Sequence, residues 1–360
     1  MNLMMNLNYL ERRFKHIAVG VEIVVNRLLG REFIKVDLGT MSIEISSICN
    51  LKCRFCAYEK KLTPKVIMSN EMFFDCVNQS VDFGYDRFEL TPCTGEVFMD
   101  KHLFEKLDFL EHHPKIIGYS FFSNLIVPSH AQLMQLMKLK KLTGLTVSIY
   151  GHDEKSFIDI TKSTSKVYDR LISNLNMMLA QNNRPLSLSF GWRSTGDVPN
   201  NDSSELMELL GKFRKAGAHF SAPHGVFNNW GGMISQDDVA GLNMKIVPDE
   251  NQYKSGACVK LFDSLLITAS GIVNACSCRD ANFSLRIGDV RTTQLKKIIS
   301  GDNDVYMRLI QEQQSGKFRP VCNGCDFYRS VYHHTTNYRR NKTLTQNISE
   351  YFIKLRNKTN

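Results

Sequence analysis

Three cysteines lie close together in the sequence, at Cys49, Cys53 and Cys56, and their spacing is CxxxCxxC. Thiolates are soft ligands that bind iron–sulfur clusters and zinc. A cubane cluster has four irons, so three cysteines leave one iron without a protein ligand and open to a small molecule. The spacing therefore predicts an iron–sulfur cluster whose open iron is the reactive one.

Two other interpretations of this motif stay open. Residues at i, i+4 and i+7 also share one face of a helix, and free cysteine is a common core residue. Against a core helix, Asn50, Lys52 and Arg54 are polar, and the preceding residues, Met41 to Ile48, alternate like a strand. Three cysteines and a distant histidine would also suit tetrahedral zinc, although zinc ligands usually come in CxxC or CxxxxC pairs.

The motif resembles the signature of the radical S-adenosylmethionine (radical SAM) superfamily, in which an aromatic residue, here Phe55, precedes the last cysteine. The resemblance implies a 4Fe-4S cluster held by Cys49, Cys53 and Cys56, with S-adenosylmethionine (SAM) bound at the open iron. It also implies that the reduced cluster cleaves SAM to methionine and a 5′-deoxyadenosyl radical, which removes a hydrogen atom from the substrate. The implied partner is an electron donor such as flavodoxin or ferredoxin.

Composition sets the broad class of the protein. A chain of 360 residues with 43% hydrophobic content can bury a large core without disulfides, and its ten cysteines without a signal peptide predict a cytoplasmic protein that binds metal. The apolar run Ile17 to Val25 carries Glu22 and is too short to span a bilayer, so it predicts an amphipathic helix. Residues 331–360 carry six basic side chains against one acidic, a net charge of +5, which most often means a solvated tail.

Apolar segments of strand character alternate with helical patterns up to residue 235. The predicted strands are Met41 to Ile48, Tyr85 to Thr91, Ile116 to Phe122, Leu145 to Tyr150, Leu186 to Trp192 and His219 to Phe227. The predicted helices are Asn70 to Asp82, Lys101 to His112, Ser129 to Leu139, Lys166 to Gln181 and Ser203 to Ala216. Such alternation predicts an α/β fold with a parallel sheet. The resemblance implies a partial (β/α)6 TIM-like barrel, whose functional residues lie at the carboxyl ends of its strands.

The run TPCTGE, residues 91–96, follows the second predicted strand. It resembles the Gly-Gly-Glu motif of the superfamily, with Thr94 in place of the first glycine. Gly95 allows close approach of the backbone, and the Glu96 carboxylate can accept hydrogen bonds from an ammonium group. The resemblance implies that Glu96 holds the amine of the SAM methionine.

Polar residues also follow the next three predicted strands. Ser123 and Asn124 resemble a Thr-Asn-Gly element that contacts SAM, although Leu125 stands where that element has glycine. Ser148 on the fourth strand and Arg193 after the fifth are both suited to the SAM carboxylate, Arg193 through a bidentate pair. Each residue alone is more simply explained as structural, and their common position at the strand ends predicts a ring of cofactor contacts.

The segment His224 to Gly232 follows the sixth predicted strand and is rich in hydrogen-bonding groups. Two interpretations are equal for it: it lines the substrate pocket, or it is a Gly-Gly turn over the barrel mouth. The sequence does not identify an acid–base residue, and His224, Asp280 and Tyr150 are candidates by position only.

A second group of cysteines stands near the C-terminus, at Cys258, Cys276, Cys322 and Cys325, with Cys278 as a possible substitute. It resembles the auxiliary-cluster modules called SPASM and twitch, and the shorter twitch form fits because no cysteine follows Cys325. The resemblance implies one auxiliary 4Fe-4S cluster. Zinc remains an alternative here, since CxxC is also a zinc pattern. Residues 264–273 predict a hairpin, and residues 292–300 predict a helix.

These observations predict four segments: an N-terminal helical extension (1–40), a radical SAM barrel (41–235), an auxiliary-cluster domain (236–330) and a basic tail (331–360). The predicted function is oxidation, by dehydrogenation, of a small sugar-like metabolite. The alternative is maturation of a ribosomally made peptide or protein side chain, although residues 1–40 are too few for a separate peptide-recognition domain. A non-catalytic, metal-stapled nucleic-acid-binding protein is the third hypothesis; no stretch outside the tail interleaves aromatic and basic residues as such binding requires.

Overall fold

The structure is a computed structural model that describes residues 16–91, 93–181, 188–193, 204–221, 226–247 and 253–359. The strands are β1 (Ile34–Lys35), β2 (Met41–Ile43), β3 (Arg87–Glu89), β4 (Gly118–Ser123), β5 (Leu142–Tyr150), β6 (Leu188–Arg193), β7 (His219–Phe220), β8 (Val226–Phe227), β9 (Lys245–Ile246), β10 (Leu266–Ile267), β11 (Ile272–Asn274), β12 (Arg286–Asp289) and β13 (Thr345–Gln346).

The α-helices are α1 (residues 16–28), α2 (Asn70–Phe83), α3 (Leu103–His112), α4 (His130–Leu136), α5 (Glu154–Thr161), α6 (Ser165–Ala180), α7 (Glu205–Lys215), α8 (Lys260–Asp263), α9 (Leu295–Ile298), α10 (Asp304–Gln314), α11 (Pro320–Asn323), α12 (Thr336–Arg340) and α13 (Ile348–Thr359). Short 3-10 helices cover Ala57–Glu59, Val97–Met99 and Gln236–Val239. Within the described ranges, no helix is long and apolar enough to cross a membrane.

The central sheet has nine strands in the order β12-β11-β10-β2-β3-β4-β5-β6-β7. Strands β2 to β7 are parallel and neighbour one another in chain order, as successive right-handed crossovers require. The predicted α/β partial barrel is therefore confirmed. Strand β10 pairs in parallel with β2 and forms the predicted hairpin with β11, so the C-terminal part of the chain extends the barrel sheet.

Alternation along β5 decides which side chains reach the barrel interior. Val147 and Ile149 are fully buried in the core, whereas Ser148 and Tyr150 line a cavity at the carboxyl end of the strand. Successive side chains of a strand point to opposite faces, so an apolar set and a polar set alternate on the same strand. The strand thus contributes to the core and to the site at once.

The first strand of the barrel is shorter than predicted. The sequence pattern predicts a strand to Ile48, but β2 ends at Ile43. Beyond it the backbone turns toward residues 64–67, because the Ser47 amide donates to the Val66 carbonyl at 2.9 Å and Ser46 forms an isolated bridge with Ile67. After this turn, the cysteine-containing loop is no longer part of the sheet. The helix predicted at residues 292–300 is likewise reduced to α9, a single turn.

The two ends of the chain pack against each other. Strand β1 pairs with β13, and Tyr351 and Leu355 of α13 are buried in the core. Residues 331–359, predicted to be a solvated tail, therefore form ordered structure that carries basic side chains on its surface. The charge count alone did not reveal the apolar residues at helical spacing that anchor α13.

Candidate functional site

A cavity of about 320 Å³ opens at the carboxyl ends of the barrel strands. Cys49, Cys53 and Cys56 all line it, on the loop that follows β2. The loop is held compact by a hydrogen bond from the Cys56 amide to the Cys53 carbonyl at 3.0 Å, and the Leu51 amide donates to Cys49 Sγ at 3.5 Å. The three thiols predicted to bind one cluster thus face one space.

Electrostatics of the three thiols fit a metal cluster better than free thiolates. Burial raises the pKa of Cys49 to about 12 and raises those of Cys53 and Cys56 as well. The nearby Arg193 guanidinium lowers the pKa of Cys53 and Cys56, but its contribution is smaller than that of burial. Burial therefore favours the neutral thiols, and a bound metal cation would supply the charge that stabilises the thiolates needed for ligation.

Aromatic side chains surround Phe55, which precedes the last cysteine of the motif. Its ring stacks on Phe227 with centroids 5.2 Å apart and lies 5.9 Å from the ring of Tyr150. The Arg193 guanidinium lies over the same ring at 5.7 Å, and the Trp230 indole donates to the Phe55 carbonyl at 3.0 Å. These contacts fix the cysteine loop against β5, β6 and the loop after β8.

Glu96 is buried beside the cysteine loop and is held by the end of β4. Its carboxylate accepts hydrogen bonds from the Ser123 hydroxyl at 2.8 Å and the Asn124 amide at 2.7 Å. The Asn124 side chain donates to Asn50 Oδ1 at 2.8 Å, which ties this network to the cysteine motif. Burial raises the pKa of Glu96 to about 7, while the hydrogen bonds from Asn124 and Ser123 lower it.

Gly95 and Leu125, at the carboxyl ends of the barrel strands, both have left-handed backbone conformations. Gly95 has φ +107°, and a Cβ added to it would lie 2.1 Å from the Ser46 carbonyl oxygen, so only glycine fits. Leu125 has φ +59°, a left-handed conformation that favours glycine, and it occupies the position of the absent motif glycine. Leu125 thus adopts a backbone conformation that glycine adopts more readily.

Thr94, the other departure, has a partner that the sequence did not reveal. The buried Lys61 ammonium donates to Thr94 Oγ1 and to the Ser47 carbonyl, each at 3.0 Å. A lysine so deeply placed needs such acceptors, because an unpaired buried charge is costly. Cys93, which fitted neither cysteine set, lines the same cavity, whereas Cys76 lies in the core as expected.

A second, smaller cavity is lined by all the C-terminal cysteines: Cys258, Cys276, Cys278, Cys322 and Cys325. Burial raises the pKa of Cys258 and Cys322 to about 12. Several N–H groups point at the sulfurs: the Arg329 amide donates to Cys258 at 3.4 Å, the Phe327 amide to Cys325 at 3.3 Å, and the Gln313 side chain to Cys322 at 3.3 Å. Donors of this kind tune an iron–sulfur cluster, and the donor set fits one.

Cys278 and Arg279 line both cavities. Arg279 is fixed by an ion pair with Asp326 at 3.0 Å and by its position over the Phe327 ring, 5.1 Å from the centroid. Its Nη1 also lies 3.4 Å from Cys278 Sγ. A single short segment therefore forms a shared wall between the two cysteine-lined spaces.

Neither cavity is arranged for one metal ion. Among the residues that the structure describes, no three His, Cys, Asp or Glu side chains are placed to hold a single ion between them. In a cubane cluster each cysteine binds a different iron, so the sulfurs stand farther apart than in a zinc site. All ten cysteines are among the described residues.

The three candidates for acid–base chemistry that were chosen by position differ in their surroundings. Tyr150 lines the first cavity beside Ser148 and Cys53. Asp280 is occupied structurally, because it accepts hydrogen bonds from the side chains of Asn274 and Ser284 and from the Leu285 amide. His224 lies outside the described residues. Of the segment predicted to line a substrate pocket, Asn228 and Trp230 do line the first cavity.

Sequence reasoning missed Lys61, Ser277 and Arg279 as residues at or beside the first cavity. Arg279 follows Cys278 directly, and a basic residue next to a cysteine cluster was the available signal. No sequence signal pointed to Lys61, since its hydrogen-bond acceptors come from residues distant in sequence.

Comparison with known proteins identifies the C-terminal part of the chain. Residues 258–326 match the family model SPASM, an iron–sulfur cluster-binding domain, and the match runs from the first predicted auxiliary ligand past the last. No curated protein matches the sequence.

Solved structures share the fold of the chain at 14% identity. BtrN in complex with AdoMet and 2-DOIA has a TM-score of 0.50, covering 83% of this chain and 96% of BtrN. SuiB from Streptococcus suis bound to precursor peptide SuiA has a TM-score of 0.54, covering 94% of this chain and 79% of SuiB. SuiB bound to S-adenosylmethionine has a TM-score of 0.52, covering 94% of this chain and 78% of SuiB.

Fold and site together define the class: the chain has the architecture of radical SAM enzymes that carry an auxiliary-cluster domain. The fold predicted from the sequence is thereby confirmed. Residues 258–326 match the SPASM model, in agreement with the predicted SPASM- or twitch-type module, and the preference for the shorter twitch form stays a prediction.

Proposed function

We propose that this protein is a radical SAM enzyme that dehydrogenates a small, sugar-like metabolite. The observation that carries the proposal is the shared wall of Cys278 and Arg279 between two cysteine-lined cavities. A substrate in the first cavity would lie next to both metal sites. Two-electron oxidation started by removal of one hydrogen atom needs such an arrangement, since the second electron must also leave the substrate.

The proposed cofactors are SAM, a 4Fe-4S cluster on Cys49, Cys53 and Cys56, and one auxiliary 4Fe-4S cluster. When bound, the first cluster supplies the electron that cleaves SAM to a 5′-deoxyadenosyl radical, and the auxiliary cluster supplies an electron acceptor. The proposed auxiliary ligands are Cys258, Cys276, Cys322 and Cys325. Flavodoxin or ferredoxin is the proposed electron donor, and the cytoplasm the proposed location.

The chain's own residues would bind and orient SAM. Glu96 offers a buried carboxylate for the methionine amine, at the place where Ser123 and Asn124 hold it rigid. Arg193 and Ser148 line the cavity with groups suited to the methionine carboxylate. Such fixed partners orient the cofactor without reorganisation during the reaction.

The remaining cavity wall is suited to a hydroxyl-rich substrate. Thr91, Tyr150, Asn228, Ser277 and Arg279 present hydroxyl, amide and guanidinium groups to it. Dehydrogenation of an alcohol carbon removes a hydrogen atom, a proton and an electron from one carbon–oxygen unit. The atoms and electrons balance if the hydrogen atom goes to the deoxyadenosyl radical, the electron to the auxiliary cluster and the proton to water.

Maturation of a ribosomally made peptide is the second candidate. The likeness to SuiB bound to precursor peptide SuiA supports it. The likeness to BtrN in complex with AdoMet and 2-DOIA supports the small-molecule proposal in the same way. For a nucleic-acid-binding protein, neither comparison offers support.

The test is SAM cleavage by the anaerobically purified enzyme with dithionite, in the presence of separated small-molecule and peptide fractions of a cell extract. We expect the small-molecule fraction to raise the rate of 5′-deoxyadenosine release and to yield a product lighter by two hydrogens. Stimulation by the peptide fraction alone would establish the second candidate. Absence of any 5′-deoxyadenosine from iron-replete enzyme would refute radical SAM chemistry.

Replacing Glu96 by glutamine should weaken SAM binding about tenfold to a hundredfold, because a hydrogen bond to a charged group contributes about 1.5–3 kcal/mol. Equilibrium binding of SAM to the iron-replete protein measures this. The matched control is Glu89→Gln, since Glu89 is a carboxylate at the end of β3 that bonds the Thr91 amide, whereas Glu96 follows the cavity-lining Gly95 and is tied through Asn124 to the cysteine motif. Equal loss in both variants would show that Glu96 acts only through folding.

A further inference from the structure

Helix α1 presents an apolar face to solvent. The exposed apolar residues of α1 and of the turn that follows it include Ile17, Val21, Val24, Val25, Leu28 and Leu29, whose exposed fractions lie between 42% and 82%. They recur at intervals of three and four residues, so they form one stripe along the helix. A contiguous exposed apolar patch of this kind marks an interaction surface.

The polar contacts of α1 fix this orientation. On its inner side, the Asn26 side chain donates to the Tyr332 carbonyl at 3.0 Å, and Glu22 accepts from Arg339 at 2.5 Å and from the His334 amide at 3.0 Å. Ile23 is buried among these contacts. The helix is therefore attached to the protein partly through its polar side, and the apolar side is left for a partner.

Exposed basic side chains lie on the segment that contacts α1. The pair between Glu22 and Arg339 brings α12 alongside α1, and Arg339, Arg340 and Lys342 are all exposed. Leu344, next in the same segment, is 76% exposed. Residues 331–360 together carry a net charge of +5. Apolar and cationic groups thus share one end of the molecule.

We propose that α1 and the neighbouring basic segment 339–344 dock the enzyme onto an anionic lipid surface. An amphipathic helix binds in the interface plane by burying its apolar face among acyl chains, while flanking cations meet acidic headgroups. A second copy of the chain is the less favourable partner, because a two-fold interface on this face would bring the two sets of arginines and lysine together. Charge complementarity therefore selects the lipid.

Flotation of the full-length, iron-replete protein with vesicles tests this proposal. Vesicles of phosphatidylcholine alone are compared with vesicles that also contain phosphatidylglycerol, at low and high salt. The variant Val21→Gln/Val25→Gln/Leu28→Gln removes apolar side chains that are already exposed, so folding is preserved. The control is Val305→Gln, which changes an equally exposed valine at the start of α10.

We expect the wild-type protein to bind vesicles that contain phosphatidylglycerol. The control variant should bind them equally well, and binding by the triple variant should be about tenfold weaker or more. Arg340→Gln/Lys342→Gln should weaken it about tenfold, and high salt should do the same. Failure of the wild-type protein to float with anionic vesicles, or equal flotation by the triple variant, would overturn the proposal. Loss of a concentration-dependent dimer in the triple variant, seen by sedimentation without vesicle binding, would assign the face to a second copy instead.

Discussion

Replacing Cys49, Cys53 and Cys56 together by alanine is expected to lower the iron content of anaerobically purified protein from about eight atoms per chain to about four. Release of 5′-deoxyadenosine should fall below detection, because these three thiols line the first cavity together with Ser148 and Arg193, two of the proposed SAM contacts. Metal analysis and product assay on the same sample measure both effects.

The matched variant is Cys322→Ala/Cys325→Ala, which removes two thiols from the second cavity. It should also lose about four irons, yet it should still bind SAM and release 5′-deoxyadenosine, while the oxidised product disappears. Loss of 5′-deoxyadenosine release in the first variant, and of the oxidised product alone in the second, would assign different roles to the two cavities. Zinc in place of iron in the wild-type protein would contradict the cluster assignment for both.

The sequence predicted those features whose cause is local. The spacing of Cys49, Cys53 and Cys56 identifies a ligand loop because all three side chains leave one short segment. The barrel strands were predicted because apolar runs alternate with helical patterns, a regularity that each unit carries by itself. Glu96 was predicted as a site residue through its position at a strand end, and the structure buries it directly after the cavity-lining Gly95.

Other features depend on contacts between distant segments, and the sequence does not show these. Lys61 and Thr94 are thirty-three residues apart, and their hydrogen bond depends on how the cysteine loop folds back on the barrel. The shared wall of Cys278 and Arg279 requires β10 to pair with β2, which no local pattern indicates. The amphipathic character of α1 was predicted, but the face it presents to solvent is decided by Glu22 and its partners near the other end of the chain.

Leu125 shows a limit of motif matching. By sequence it departs from the family element, since glycine is absent, yet its backbone has a left-handed φ of +59°, which glycine adopts most readily. The Ser123 hydroxyl accepts from the Leu125 amide at 2.9 Å, and the Asn174 side chain donates to the Leu125 carbonyl at 2.8 Å. These bonds impose a conformation that costs a non-glycine residue on the order of 1–3 kcal/mol. Surrounding contacts can thus replace a glycine that a motif requires.

Gly95 has no such compensation, and Gly95→Ala is expected to destabilise the protein by on the order of 3–5 kcal/mol. The new Cβ would lie 2.1 Å from the Ser46 carbonyl oxygen and 3.2 Å from Ser47 Cα, in a residue already at φ +107°. Neither backbone can yield freely, because the Glu96 amide donates to the Ile48 carbonyl at 2.8 Å.

The same clash should eliminate SAM binding in whatever protein remains folded, since any shift of residue 95 moves Glu96 away from the cysteine loop. Denaturant unfolding and SAM binding, measured on iron-replete protein, give the two effects separately. Gly144→Ala is the matched control: its added Cβ would meet only Ser120 Cβ, at 3.6 Å, an ordinary contact on the neighbouring strands. A Gly95→Ala protein as stable as this control would show that the approach of residues 46 and 95 is looser than the structure has it, and the position of Glu96 at the site would lose its support.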